Sequence, residues 1–152
     1  MLFLDVDGPL IPLHGRATTA HPAAAAAAEH YRNPLLARLD PEDGPRLRSL
    51  GCDLVWATTW ADDANQVLGP LLGLPALPTV AWTDGSGSEH WKTRDLVAWA
   101  ADRPFVWVDD EIGAADRSWV ARNHGAPALL HRVMGRIGLT EADFDAIRDW
   151  AD

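Results

Sequence analysis

Seven polar residues stand where an apolar run stops or the next helix should begin. They are Asp5 and Asp7 in Leu4-Asp5-Val6-Asp7-Gly8, Thr58 and Thr59 in Trp56-Ala57-Thr58-Thr59-Trp60, Lys92 in Trp91-Lys92-Thr93, and Asp109 and Asp110 in Val106-Trp107-Val108-Asp109-Asp110. Ionised carboxylates placed after hydrophobic runs are costly unless a cation or hydrogen-bond donors meet them. Magnesium suits such a group, being a hard ion that takes oxygen ligands from a few carboxylates, waters and a phosphate. No histidine or cysteine cluster accompanies the acids, which argues against zinc. A threonine hydroxyl with its neighbouring backbone N–H groups can bind phosphate oxygens, and an ammonium can neutralise them as a point charge. Lys92 is the single lysine among 13 basic residues, the others all being arginine. A compact cation in an arginine-biased chain points to a specific task, because the two side chains are not interchangeable.

Strands alternating with helical stretches must carry these residues. Apolar runs at 1–6, 53–58, 79–82, 105–108 and 127–130 read as about five strands of a doubly wound, Rossmann-like parallel sheet flanked by helices. In such sheets ligands bind beyond the carboxyl ends of the strands, where the acids, threonines and lysine fall. Helices are expected at about 22–31 (the alanine tract Ala23–Ala28 behind Pro22), at 41–50 with Asp40 as N-cap, and at 60–72. Further helices are expected at 90–101, at 114–124 and from a Thr140/Asp143 capping box to about Trp150. The alanine helix buries little area and reads as a lid more than as core. A loop is expected at 83–88. The eight tryptophans fall mostly in apolar patterns and read as core, with Trp60 and Trp91 set apart because each flanks a candidate site position.

One domain spanning 1–152 fits the length, with a small flap and helical insert at about 9–34 in place of a cap domain. The site should therefore be open. Apolar residues at 47% and charged ones at 23% exclude a disordered chain. The net charge of −9 disfavours gripping an extended duplex, which needs a basic stripe. Gly69, Pro70, Gly73, Pro75 and Pro78 interrupt the uncharged stretch at 64–83, so no membrane span is expected. The lone Cys52 and the absence of a basic leader lead us to expect a cytoplasmic setting. The six histidines match no metal spacing and are expected at the surface or in the flap, where His14, Arg16 and Arg32 could touch substrate. Glu111 reads as a helix-start residue.

The order Asp5-Val6-Asp7-Gly8, Thr58, Lys92, Asp109-Asp110 resembles the haloacid dehalogenase (HAD) superfamily of aspartate-nucleophile phosphatases, over residues 2 to about 130. Asp-Val-Asp-Gly-Pro-Leu and Trp-Ala-Thr-Thr-Trp further resemble a branch found as phosphatase domains in predicted RNA-repair proteins. The resemblance implies a magnesium-dependent phosphomonoester hydrolase. Asp5 would be its nucleophile, forming an aspartyl-phosphate, and Asp7 its general acid and base. Asp5, the Asp7 carbonyl, Asp109 and Asp110 would surround Mg2+. Thr58 and Lys92 would stabilise the phosphoryl oxygens, with Gly8 and Thr59 beside the substrate. The substrate would be a phosphorylated small molecule, nucleotide or nucleic-acid end. A receiver domain uses similar residues, but its acidic pair closes the first strand, whereas here the pair comes last. A catalytically silent scaffold of the same fold is the remaining alternative.

Overall fold

The computed structural model describes residues 1–15, 20–83 and 91–152. The expected loop at 83–88 lies, apart from Thr83, outside the described residues, as do Arg16 and His90.

Four parallel strands form the sheet: β1 (Leu2–Leu4), β2 (Leu54–Trp56), β3 (Phe105–Asp109) and β4 (Ala128–Arg132), in the order β2-β1-β3-β4. Among the described residues six α-helices flank it: α1 (Pro22–His30), α2 (Asp43–Ser49), α3 (Gly69–Leu72), α4 (Thr93–Ala100), α5 (Ala114–Asn123) and α6 (Glu141–Ala151). The count of about five strands is one too many. Residues 79–82 make only the isolated bridge of Thr79 to Trp56, fixed by Trp56 N–H to the Pro78 carbonyl and Val80 N–H to the Trp56 carbonyl. Proline at 78 has no N–H to extend that ladder.

Alternation along the strands explains the layers. Leu2, Leu4, Trp56, Val106 and Val108 enter one core with α1, α2, α3 and α6, while Phe3, Val55, Phe105 and Trp107 enter a second with α4 and α5. Both faces are therefore dry, and the strands read as continuous apolar runs. Chain order sets where a ligand can enter. The chain places β2 on one side of β1, then crosses to lay β3 on the other, so the switch point lies between β1 and β3.

Several local expectations need correction. Asp40 does not cap α2 directly: its Oδ1 accepts from Glu42 N–H in a turn, and the helix begins at Asp43. The stretch at 60–72 is helical from residue 62 and contains a π-helical segment, Ala64–Leu68, ahead of α3. A 3-10 turn at Pro34–Arg38, capped by the Asn33 side chain, was not foreseen. The alanine helix is not a lid set apart from the core: Ala24 and Ala27, on one face of α1, are buried in it. The Thr140/Asp143 box opens α6 as expected, with Asp143 Oδ2 accepting from Thr140 N–H at 2.8 Å.

Most tryptophans pack as foreseen. Trp56 and Trp107 are buried, and Trp60, Trp82, Trp119 and Trp150 pack partly buried against the cores, whereas Trp99 is exposed. His124 departs from the surface expectation, lying buried with its ring 4.8 Å from that of Phe105. Glu111 precedes α5 instead of starting it; the acid of that first turn is Asp116, which accepts from Gly113 N–H.

Candidate active site

The register of β1 against β3 pairs Leu4 with Val108, so Asp5 and Asp109 follow at the same level, at the carboxyl ends of neighbouring strands. Asp5 N–H donates to the Val108 carbonyl at 3.0 Å, which locks that register one residue beyond the ladder. Alternation points both carboxylates to the face covered by α4, and Lys92 stands immediately before that helix. Its Nζ donates to Asp5 Oδ2 at 2.9 Å and to Asp109 Oδ2 at 2.7 Å. Asp5 and Lys92 are each 7% exposed and Asp109 is fully buried. A cation at a helix N-terminus opposes the macrodipole, so Lys92 is held there by the carboxylates and not by the helix. The Trp91 ring adds a face 5.3 Å from the ammonium.

Further bonds fix the acids. Asp109 Oδ2 also accepts from Trp107 Nε1 at 3.2 Å and its Oδ1 from Glu111 N–H at 2.9 Å. Asp5 Oδ1 accepts from Val6 N–H at 2.8 Å. Burial and the neighbouring Asp109 push the Asp5 carboxyl up to about 7, against the opposing pull of Lys92. Burial works against the charge on Lys92, but Asp5 and Asp109 outweigh it and hold the ammonium above the ordinary lysine range. Burial and then Asp109 raise Asp110 as well.

Asp5, Asp109 and Asp110 each offer an oxygen, all within 4.8 Å of one another. An octahedral Mg2+ shell is about 4 Å across, so this donor set fits a hard divalent cation with little adjustment. The charge balance agrees: one ammonium faces three carboxylates. Exposed Glu111 is not part of this group.

Two glycines make room for Asp110. At Gly8, where φ is +94°, an added Cβ would meet Asp110 Cγ at 2.5 Å, and at Gly135 it would meet Asp110 Cβ at 2.9 Å. Gly8 was expected to serve close approach. Gly135 was missed, because nothing local to Met134-Gly135-Arg136 signals a neighbour 25 residues earlier in the chain.

The turn after β1 brings Asp7 round. Gly8 N–H donates to the Ile11 carbonyl, and Leu10 and Ile11 N–H both donate to the Val6 carbonyl, burying Leu10 and Ile11 in the core. Half-buried Asp7 then accepts at Oδ2 from Trp60 Nε1 at 3.1 Å. Thr58 and Thr59 lie just past β2, beside β1. Thr58 is 1% exposed, its Oγ1 accepting from Trp60 N–H and its carbonyl from Trp82 Nε1, whereas Thr59 is exposed. The structure thus brings Asp5, Lys92, Asp109 and Asp110 into one cluster and ties Asp7 to Trp60. It gives neither threonine a bond to an acid among the described residues.

Of the flap residues, Arg32 is exposed and the Pro12 and Leu13 carbonyls are held by Arg38. No described helix is long and apolar enough to cross a membrane.

A family model described as the HAD domain in Swiss Army Knife RNA repair proteins matches residues 1–144. No curated protein and no solved structure matches the chain significantly. The match covers nearly the whole chain, so the protein belongs to the HAD superfamily as a domain of the Swiss Army Knife RNA repair type.

Proposed function

We propose that this HAD-type hydrolase is a magnesium-dependent phosphomonoesterase that works through an aspartyl-phosphate on Asp5. The observation that carries the reading is the convergence of Asp5, Lys92, Asp109 and Asp110 from three distant chain segments into one buried cluster. One ammonium faces three carboxylates, and burial together with Asp109 raises the pKa of both Asp5 and Asp110, which marks negative charge that a divalent cation would offset.

Asp5 and Asp109, with Asp110 beside them, would hold the ion, joined by the Asp7 carbonyl. When bound, Mg2+ supplies positive charge that lets an anionic nucleophile approach an anionic phosphate. Asp5 presents Oδ2 to Lys92 and spends Oδ1 on Val6 N–H, so its orientation is fixed before substrate arrives. Asp5 attacks phosphorus, the ester oxygen departs with a proton from Asp7, and Asp7 then takes the proton of the water that frees Asp5. Such acid–base help is worth ~10²–10⁴-fold. Lys92 would lend its charge to the phosphoryl oxygens, and Thr58, with the exposed Thr59 after it, would add hydroxyl and backbone N–H donors to them.

The substrate class that agrees with the family's description and with the charge of −9 is a nucleotide or a nucleic-acid end and not an extended duplex. The test is hydrolysis of a generic phosphomonoester by the wild-type chain and by Asp5→Asn, with Mg2+ and with EDTA. Turnover that needs both Asp5 and Mg2+ supports the reading; no metal-dependent turnover on any phosphoester would favour a silent scaffold.

A further inference from the structure

One recess opens directly on the acid cluster. It measures about 500 Å³ and is lined chiefly by Leu13, Asp110, Arg132, Met134, Gly135 and Arg136. We infer that it is an anion subsite, which takes a second phosphate of the substrate beside the phosphoryl group that Asp5 attacks. That assignment rests on the phosphatase reading and narrows its substrates to compounds with two phosphates. A nucleic-acid end with its neighbouring phosphodiester is one such compound, and a nucleoside bisphosphate is another.

Asp110 sets the location. It lines the recess, and one of its carboxylate oxygens lies within 4.8 Å of oxygens of Asp5 and Asp109. A phosphoryl group in reach of Asp5 is therefore one side chain away from the recess. Register brings the first cation there: Asp109 on β3 pairs with Arg132 on β4, so Arg132 stands at the same carboxyl end of the sheet as the acids. Its Nε donates to the Asp110 carbonyl at 2.9 Å, which orients the guanidinium and leaves both Nη groups for another acceptor. Arg136 supplies the second cation from the loop after β4. Both arginines are exposed, and among the described residues neither forms an ion pair.

The lining then selects the ligand. Planar guanidinium forks match phosphate oxygens in pairs, a fit that an ammonium lacks. Asp110 is the one acid in the lining, and its part in the site is to help hold a cation. In a chain of net charge −9, a recess with two arginines and one acid reverses the local sign and draws in an anion. Leu13 and Met134, 54% and 63% exposed, add apolar surface on which an uncharged sugar or base between the two phosphates can rest. The volume suits a group of nucleotide size.

The fold presets the recess. Val133 N–H donates to the Asp109 carbonyl at 3.0 Å, Leu13 N–H to the Gly135 carbonyl at 2.8 Å and Leu139 N–H to the Pro9 carbonyl at 2.8 Å. The loop that carries Arg136 is thus pinned to the end of β3 and to the turn after β1, the two segments that supply the acids.

The experiment compares kcat/KM of the full chain with Mg2+, at fixed ionic strength, on three kinds of substrate: adenosine 3′- and 5′-monophosphate, adenosine 3′,5′-bisphosphate, and the adenosine dinucleotide phosphorylated at its 3′ or 5′ end. Binding of the dinucleotide without a terminal phosphate is measured alongside by calorimetry. A substrate with a second phosphate should exceed the monophosphates by about ten-fold or more. The larger gain, on the dinucleotide or on the bisphosphate, tells whether the second phosphate belongs to a nucleic-acid end or to a free nucleotide. Arg132→Gln and Arg136→Gln should each cut the gain by about five-fold or more. Arg136→Gln, at an exposed loop position, decides the matter even if Arg132→Gln fails to fold. Arg122→Gln, on the exposed surface of α5, removes the same charge elsewhere and should leave the gain unchanged. Equal kcat/KM on all the substrates, a gain that survives the loss of Arg136, or a gain that falls as far in Arg122→Gln would overturn the subsite and leave the phosphatase reading intact. Failure to hydrolyse every phosphomonoester would overturn the phosphatase reading instead. Dinucleotide binding that is lost in Arg136→Gln would then still support the subsite, and no dinucleotide binding would overturn it as well.

Discussion

Replacing Lys92 by methionine keeps the length of the side chain and removes its charge. The ammonium lies 2.9 Å from Asp5 and 2.7 Å from Asp109, and all three groups are nearly inaccessible to water. Removing one partner of a buried ionic group strands the others, at a cost of ~3–5 kcal/mol. A chain of this length loses ~2–4 °C in Tm per kcal/mol, so Lys92→Met should melt ~6–20 °C lower at neutral pH in EDTA. The loss should shrink towards ~pH 5, because the Asp5 carboxyl, already pushed up to about 7, takes a proton and needs no counter-ion. Mg2+ should restore more Tm to the variant than it adds to the wild type, since the variant's cluster is one charge more negative. Scanning fluorimetry over pH, with EDTA and with Mg2+, reads all three effects. A melting point within about 2 °C of wild type at neutral pH, or a deficit that is the same at ~pH 5, would refute the ionic account.

Trp60→Phe removes the donor to Asp7 while keeping the ring. A hydrogen bond to a charged group at a half-buried position is worth ~1.4 kcal/mol, so kcat on alkyl phosphates should fall about ten-fold. A nitrophenyl phosphate, whose leaving group needs no proton, should lose less than about three-fold, and equal losses would contradict the assignment of Asp7. Gly135→Ala forces Asp110 aside and should weaken Mg2+ binding in calorimetry by about ten-fold or more with the fold retained; unchanged affinity would remove Asp110 from the metal site. Asp5 sits above its unfolded pKa of ~3.9, so in EDTA its contribution to stability is present below ~pH 4 and lost as pH rises through about 7. Asp5→Asn, which imitates the protonated acid, should therefore be more stable than wild type at ~pH 8 in EDTA and lose that advantage on acidification, as urea titrations would register.

The ends of β1 and β3 were legible because each is an apolar run that stops at an acid, and a sheet buried on both faces leaves no other place for charge. Lys92 was legible as the single lysine of the chain, placed where a helix should begin. What tertiary contact decides was not. Nothing near Gly135 announces Asp110, and nothing in residues 79–82 says that only Thr79 would reach β2. The alanine tract misled because small side chains suggest little burial, whereas Ala24 and Ala27 allow α1 to approach the core closely. Trp60 was singled out for its place beside the threonines, yet its partner is Asp7, brought round by the turn at Gly8.

The central claim is that Asp5 carries the phosphoryl group between substrate and water. Its most direct test is acid-quenched mass spectrometry of Asp7→Asn after mixing with Mg2+ and a nitrophenyl phosphate, which does not require Asp7 for the first step but does for the second. The account predicts a hydroxylamine-sensitive phosphoryl group on the peptide that contains Asp5, absent with EDTA. Phosphorylation at another residue, or wild-type turnover that survives Asp5→Asn, would contradict it.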